Sequence, residues 1–117
     1  SLTVDRPMSQ EDGETLYWAL RRGDSVEASQ LIPKLAPMQF GYEDDKGNTL
    51  MHAVVMGQLT GHAVCKEILK KGVPVDQNNA AGQDALDLLK ASGGDTAALE
   101  ELARTHAVAA HGFSVFR

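Results

Sequence analysis

The stretch DDKGNTLMH at Asp44–His52 decides the fold prediction, because NAAGQDALD at Asn79–Asp87 repeats its pattern. The turn glycines of the two stretches, Gly47 and Gly82, lie 35 residues apart. Each turn is followed by an apolar run of helical periodicity, a glycine break and a second such run. A period of this length is typical of stacked repeats, in which every unit buries its apolar face against its neighbours. Such repeats usually offer a surface to a partner, so the pattern favours binding over an enzyme active site.

The composition of the chain predicts one globular domain with an acidic surface. Of its 117 residues, 43% are hydrophobic and 23% are charged, which are ordinary values for a globular protein. The net charge of −5 disfavours nucleic acid and anionic membranes as partners, because both carry negative phosphates. We therefore expect neither nucleic acid nor a membrane as a partner.

The sequence favours a cytoplasmic or other reducing intracellular compartment. The single cysteine, Cys65, excludes an internal disulfide framework. No signal peptide is visible, and no stretch approaches the roughly 18 apolar residues of a membrane span. For a protein from a host-associated bacterium, delivery into a host cell is a further alternative. Because the chain lacks an initiator Met and ends in the apolar Phe113–Phe116, we expect a fragment of a larger protein.

Apolar spacing and helix breakers predict an all-α chain of three helix pairs. The pairs occupy units at about 13–43, 44–78 and 79–104, between a lead at 1–12 and a cap or linker at 105–117. Trp18 falls at an inward position of the first helix, so we expect it in the core. The predicted helices are Thr15–Arg22, Val26–Leu35, Thr49–Met56, Ala63–Lys70, Asp84–Ala91 and Thr96–Ala103.

Each repeated turn carries the local signals that such a turn requires. Asp44 and Asn79 can accept hydrogen bonds from backbone amides of the turn that follows them. Gly47 and Gly82 allow a positive φ at no steric cost. The turns also end in residues that can cap the next helix, Thr49 and Asp84.

The pattern resembles the ankyrin repeat, whose unit runs roughly D-x-x-G-x-T-P-L-H-x-A-A-x-x-G and ends L-L-x-x-G-A-D-V-N. Asp44, Gly47, Thr49 and His52 occupy the family's Asp, Gly, Thr and His positions. The resemblance implies a solenoid of three L-shaped units, with helix pairs joined by projecting β-turn loops. Further matching positions are Leu16–Gly23 in a degenerate first unit, Ile68–Asp76 at the end of the second unit, and Asn79, Gly82, Leu86, Leu88 and Gly93 in the third unit.

The chain also departs from the family pattern. Leu50 and Ala85 replace the proline, and the first unit lacks the D-x-x-G turn. Gln58 lies where a glycine is expected, with about two extra residues beside it. The histidine is replaced by Tyr17 in the first unit and by Asp87 in the third. Atypical terminal units are expected, because they face solvent on one side.

The residues that could act in catalysis or metal binding are better explained by structural roles. The resemblance implies that His52 binds backbone near the turn. Cys65 lies one helical turn after His62, but zinc needs three or four ligands, and only His106 and His111 remain. A hydrolase using Cys65, His52 and a carboxylate would need a base within hydrogen-bond reach of the thiol and a third group that orients it, which spacing alone does not supply. We therefore expect no enzyme activity, no metal and no cofactor.

The favoured function is a protein-protein interaction module. The alternative is a scaffold or cap that supports another domain of the same chain, which the apolar end would favour. An acidic edge at Glu11–Asp12 and Glu43–Asp45 is either a solvated face or an attraction for a basic partner segment. The resemblance implies partner binding through turn tips and inner ends of the first helices, with Met56 and the arginines as anchors. The resulting candidates are Gln10, Glu11, Arg21, Arg22, Asp45, Lys46, Asn48, Met56, Ala80, Ala81, Gln83, Ala91 and Ser92.

Overall fold

The structure is a computed structural model, which defines the backbone of residues 10–110 and the side chains of residues 12–106. Over that range the chain is all-α and contains no strand. Short 3-10 helices at Ile32–Lys34 and Pro37–Gly41 follow the second α-helix. The α-helices are α1 (Gln10–Arg21), α2 (Ser25–Leu31), α3 (Leu50–Met56), α4 (Ala63–Lys70), α5 (Ala85–Ala91) and α6 (Thr96–Ala110).

The helices pack as three pairs in two layers. Each pair consists of consecutive helices: α1 with α2, α3 with α4, and α5 with α6. The first helices form one layer, in which α3 lies between α1 and α5. The second helices form the other layer, in which α4 contacts both α2 and α6. The middle pair is therefore covered on both sides, and it supplies much of the core.

The composition of α3 reflects that central position. Every residue from Leu50 to Val55 is buried, including His52. The partner helix α4 buries one stripe, which includes Ile68 and Leu69, and exposes the opposite side. A helix that is apolar all round belongs inside the protein, whereas an amphipathic helix belongs at its edge.

The two repeated turns have the predicted geometry. Asp44 Oδ1 accepts hydrogen bonds from the amides of Lys46 and Asn48, both at 2.8 Å. Thirty-five residues later, Asn79 Oδ1 accepts the equivalent bonds from the amides of Ala81 and Gln83. The turn glycines adopt positive φ, at 79° for Gly47 and 80° for Gly82. The predicted caps are also confirmed, since side chains of Thr49 and Asp84 accept amide hydrogen bonds at the starts of α3 and α5.

The turns are attached to the units that precede them. Tyr17 Oη in α1 donates to Asp44 Oδ2 at 2.5 Å, across to the second unit. His52 Nε2 in α3 lies 2.9 Å from the carbonyl oxygen of Gln83 in the third unit. The His52 Nδ1 atom accepts from the Thr49 amide, so the proton lies on Nε2, which donates to that carbonyl. Tyr17 and His52 occupy equivalent positions 35 residues apart, so two different side chains make the same kind of link.

The helix ends opposite the turns also follow the period. Gly23, Gln58 and Gly93 have positive φ values of 81°, 60° and 81°, and they lie 35 residues apart. Gln58 therefore adopts the glycine conformation without being glycine. At Gly57 a Cβ atom would lie 1.8 Å from the Leu20 carbonyl oxygen, so this close approach between units requires glycine.

Several helices have different bounds from those predicted. Helix α1 begins at Gln10, inside the predicted lead, where the Gly13 amide donates to Gln39 Oε1 at 3.0 Å. Helix α2 ends at Leu31 rather than Leu35, as expected when Pro33 removes a backbone donor. Helix α6 continues to Ala110 instead of ending at Ala103.

The predicted burial of Trp18 is wrong. Its side chain is 44% exposed, while the neighbouring Tyr17 is fully buried. Successive helical residues point about 100° apart, so only one of these two rings can take the inward position. The link from Tyr17 to Asp44 fixes that choice.

Candidate functional site

Two grooves lie beside the projecting turns. The acidic groove, of about 790 Å³, lies between α1 and the first turn. The apolar groove, of about 500 Å³, lies between the two turns and the ends of α3 and α5. Lys46 lines both grooves, so they are adjacent. The acidic groove is lined by Glu14, Trp18, Arg21, Tyr42, Glu43, Asp44, Asp45 and Lys46, and the apolar groove by Lys46, Asn48, Met56, Asn79, Ala80, Ala81, Gln83 and Leu88.

The apolar groove combines flexible and small side chains. Met56 is half-buried at the C-terminal end of α3, and Leu88 is half-buried in α5. Ala80 and Ala81 form an exposed turn tip with little side-chain bulk. Methionine adapts its shape to irregular apolar partners. The groove can therefore receive an apolar side chain, with the Lys46 ammonium group at its edge.

A hydrogen-bond network holds the walls of the apolar groove. Asn79 Nδ2 donates to Asn48 Oδ1 at 2.8 Å, and Asn48 Nδ2 donates to Asp44 Oδ2 at 3.0 Å. The Ala80 amide donates to the Lys46 carbonyl at 2.8 Å and joins the two turns directly. These bonds define the groove before any ligand enters it, which lowers the ordering cost of binding.

Aromatic rings and a guanidinium group line the acidic groove. The Arg21 guanidinium carbon lies 4.9 Å from the centroid of the Trp18 ring, within cation-π range. Arg21 Nη1 also donates to Tyr17 Oη at 3.1 Å. The Tyr17 ring packs edge-on against Trp18 at 5.2 Å and at a tilt against Tyr42 at 5.4 Å.

The acidic groove carries a negative potential at neutral pH. Burial by itself would raise the pKa of Asp44, but hydrogen bonds from Tyr17, Asn48 and the Lys46 amide outweigh it and lower the pKa to about 2. Burial and the bond to Asp44 raise the pKa of Tyr17 to about 12, so its hydroxyl remains a donor. Burial raises the pKa of Tyr42, and the nearby carboxylates, including Asp44, raise it further.

Most of the predicted turn residues lie together. Lys46, Met56, Ala80, Ala81 and Gln83, which come from two units, all line the apolar groove. Two more predicted residues line the acidic groove, Arg21 and Asp45.

The remaining predicted residues have other positions or roles. Asn48 also lines the apolar groove, but it is largely buried and its side chain holds the turns together. Arg22 forms ion pairs with Glu27 and Asp24 outside both grooves. Ala91 and Ser92 are exposed at the end of α5 and line neither groove. The side chains of Gln10 and Glu11 lie outside the described residues.

Sequence reasoning missed several lining residues. Glu14 and Tyr42 enter the acidic groove only because α1 packs beside the segment that leads into the first turn. Leu88 matches a position of the ankyrin pattern that carries no predicted binding role. The exposure of Trp18 could have been predicted. Tyr17 occupies the inward position of the family's histidine, so the next helical residue, Trp18, points outward.

The residues that could act in catalysis or metal binding lie outside both grooves. Cys65 is buried in α4, and burial raises the pKa of its thiol to about 11. In the described part of the chain, no three His, Cys, Asp or Glu side chains come together as metal ligands. No helix between residues 10 and 110 has the length and apolar character needed to cross a membrane.

Comparison of the chain with protein-family models, with curated proteins and with solved structures gives no match. The ankyrin resemblance therefore stays a prediction, carried by the residues quoted above. The all-α architecture and the two grooves are properties of the structure itself.

Proposed function

We propose that this chain is an ankyrin-type repeat module that binds another protein through the apolar groove and has no enzymatic role. The observation that carries the proposal is the meeting of Lys46, Met56, Ala80, Ala81 and Gln83 in one groove. The ankyrin resemblance predicts all five of them as binding residues. A groove preformed between repeating units is the kind of surface through which stacked repeats bind partners.

Equivalent contacts at the 35-residue period support the ankyrin-type assignment. The Asp44 and Asn79 side chains accept equivalent hydrogen bonds from the backbone amides of their own turns. The links made by Tyr17 and His52 join each unit to the next turn. A closed globular domain has no reason to repeat both the turn and its attachment at one spacing.

The chemistry of the apolar groove supports binding rather than catalysis. Its walls are made by methionine, leucine, alanine, amide side chains and one lysine. A buried apolar anchor surrounded by a polar rim is the usual arrangement of a binding hot spot. The thiol of Cys65, buried in α4, is not among the lining residues.

A capture experiment with a matched pair of methionine variants tests the proposal. We expect Met56→Ala to weaken capture of a partner from lysate about tenfold or more, because truncation removes an anchor from the groove. The control is Met38→Ala, since Met38 is 75% exposed and lies in the first unit, away from the apolar groove. Circular dichroism and a thermal melt confirm that both variants are folded.

The proposal requires that the two variants differ in how much partner they capture. Loss of a partner by Met56→Ala and its retention by Met38→Ala would support the apolar groove and provide the partner for identification. Equal capture by the wild type and both variants would place binding elsewhere and contradict the proposal.

An intramolecular scaffold is the second candidate, and one observation favours it. Val26 and Met38 are large apolar side chains with 66% and 75% exposure, and both lie in the first unit. Another domain of the same chain would cover such positions. This candidate predicts concentration-dependent self-association of the isolated chain, which sedimentation velocity measures and which Val26→Ser with Met38→Ser should reduce.

A further inference from the structure

We propose that the acidic groove receives an arginine side chain from the same protein segment whose apolar residue occupies the neighbouring apolar groove. The inference rests on the proposed function and specifies the chemistry of the partner. It assigns a role to Trp18, Glu14 and Asp45, which the apolar groove does not use.

An exposed aromatic surface is the first observation behind this inference. Trp18 is 44% exposed even with the Arg21 guanidinium 4.9 Å from its ring centroid. The ring therefore already interacts with one guanidinium group and has surface left for a second. Tyr42 lines the same groove and adds a further ring edge. Arginine stacks on aromatic faces better than lysine does, because its guanidinium group is planar and more weakly hydrated.

The charge of the acidic groove is the second observation. Four carboxylates line it, against the two cations of Arg21 and Lys46. Asp44 is already bound by Tyr17 and Asn48, and Glu43 accepts a hydrogen bond from Gln77.

Glu14 and Asp45 are the exposed carboxylates that an incoming cation would meet. Their charges both act on Tyr42, where burial first and then these carboxylates raise the pKa of the phenol. The same negative potential that disfavours a phenolate favours a cation.

Because the two grooves are adjacent, the distance between them predicts the spacing of the two anchor residues in the partner segment. Lys46 forms part of both walls, so a ligand can pass from one groove to the other over a single side chain. Packed neighbouring helices lie ~8–10 Å apart, which sets the step from one unit to the next. A chain in the polyproline II conformation advances ~3.1 Å per residue and presents every third side chain on the same face, so this step corresponds to about three residues. We therefore expect an arginine and an apolar residue about three positions apart.

A pair of peptides tests the cationic requirement. The first is acetyl-Gly-Arg-Ser-Ser-Leu-Gly-amide, and the second replaces arginine by citrulline, which keeps the shape but loses the charge. Trp18 is the only tryptophan of the chain, so its fluorescence reports directly on the acidic groove. We expect a saturable fluorescence change with the arginine peptide and about tenfold weaker binding of the citrulline peptide.

Charge-matched variants test the location. We expect Glu14→Gln with Asp45→Asn to remove most of the difference between the peptides. Glu67→Gln with Glu100→Gln removes the same number of charges from exposed positions outside the groove and should preserve the difference. Similar affinity for both peptides, no saturable change, or equal effects of the two double variants would overturn the inference.

The outcome can be separated from that of the proposed function. If Met56→Ala loses the captured partner while Glu14→Gln with Asp45→Asn keeps it, the proposed function stands and the arginine assignment is wrong. If Met56→Ala keeps the partner, the proposed function is wrong, and the assignment of one segment to both grooves is wrong with it.

Discussion

Gln58 follows the repeat but adopts a backbone conformation that is strained for a residue with a side chain. It has a φ of 60° at a position where the first and third units have glycine. A side chain in the left-handed region is strained relative to glycine by about 1 kcal/mol. We expect Gln58→Gly to raise the free energy of unfolding by about 0.5–1 kcal/mol in urea titrations.

The control for this substitution uses the same residue types in ordinary helix. Gln30 is exposed in α2, where glycine costs about 1 kcal/mol because it frees the unfolded backbone. Gln30→Gly should therefore lower the stability. If both substitutions lowered it by the same amount, the conformation of Gln58 would not be strained.

Asp44 predicts the response of the fold to acid. Its pKa falls from 3.8 to about 2 on folding, so the carboxylate stabilises the fold above its unfolded pKa. This stabilisation, about 1–2 kcal/mol after allowance for partial exposure, is lost as the pH falls from about 4 to 2. We expect Asp44→Asn to remove this loss, measured as the unfolding free energy at pH 6 and at pH 2.5.

Tyr17→Phe should lose an amount of stability in acid that lies between those of the wild type and Asp44→Asn. It removes one hydrogen bond to Asp44 and leaves those from Asn48 and Lys46, so the pH-dependent loss should shrink without disappearing. An unchanged acid response in Asp44→Asn would mean that other groups determine it.

At the scale of elements, the turns depend on the helices that precede them. His52 is fully buried, completes the capping box of α3 and binds the Gln83 carbonyl. We expect His52→Ala to lower the unfolding free energy by about 2–4 kcal/mol, because it leaves a cavity and a partly buried acceptor without its donor. Tyr17→Phe keeps the ring and should cost only about 1 kcal/mol.

A surface histidine provides the comparison. His62 is exposed and makes no side-chain cap for α4, so His62→Ala should change the stability by less than about 0.5 kcal/mol. A similar loss in His52→Ala and His62→Ala, by thermal and urea denaturation, would contradict the inter-unit link.

At the scale of the whole molecule, stability should be highest in the middle pair. Helix α3 is buried between α1 and α5, whereas α2 exposes Val26 and contacts the stack on one side. Because stacked units are stabilised mainly by their neighbours, we expect the slowest amide hydrogen exchange in α3 and the fastest in α2. Exchange in α2 as slow as in α3 would show that the units do not open separately.

Both grooves belong to the stack rather than to any one unit. The acidic groove needs α1 and the first turn, and the apolar groove needs both turns. A partner that spans the grooves would therefore also hold the units together. Ligand binding and stability are coupled in such a case, because the ligand binds only the stacked form.

Much of the fold and part of the site could be predicted from the sequence. The spacing of Gly47 and Gly82 indicated the period, and the neighbouring Asp44 and Thr49 indicated the turn and the cap. These signals act over four or five residues, so they hold before any tertiary contact forms. The same register put Gln58 at a glycine position, and it selected Lys46 and Met56, which line one groove.

By itself, the sequence determined the helix pairs, the two turns and their period, because backbone hydrogen bonding and side-chain periodicity fix these locally. Only the tertiary structure decided that Asn48 is buried and bonded to Asn79, and that Glu14 and Tyr42 line one groove. It also placed the Gly13 amide of α1 against Gln39 Oε1. Each of these outcomes depends on which distant residue occupies the neighbouring space, and that is settled only when the units pack together.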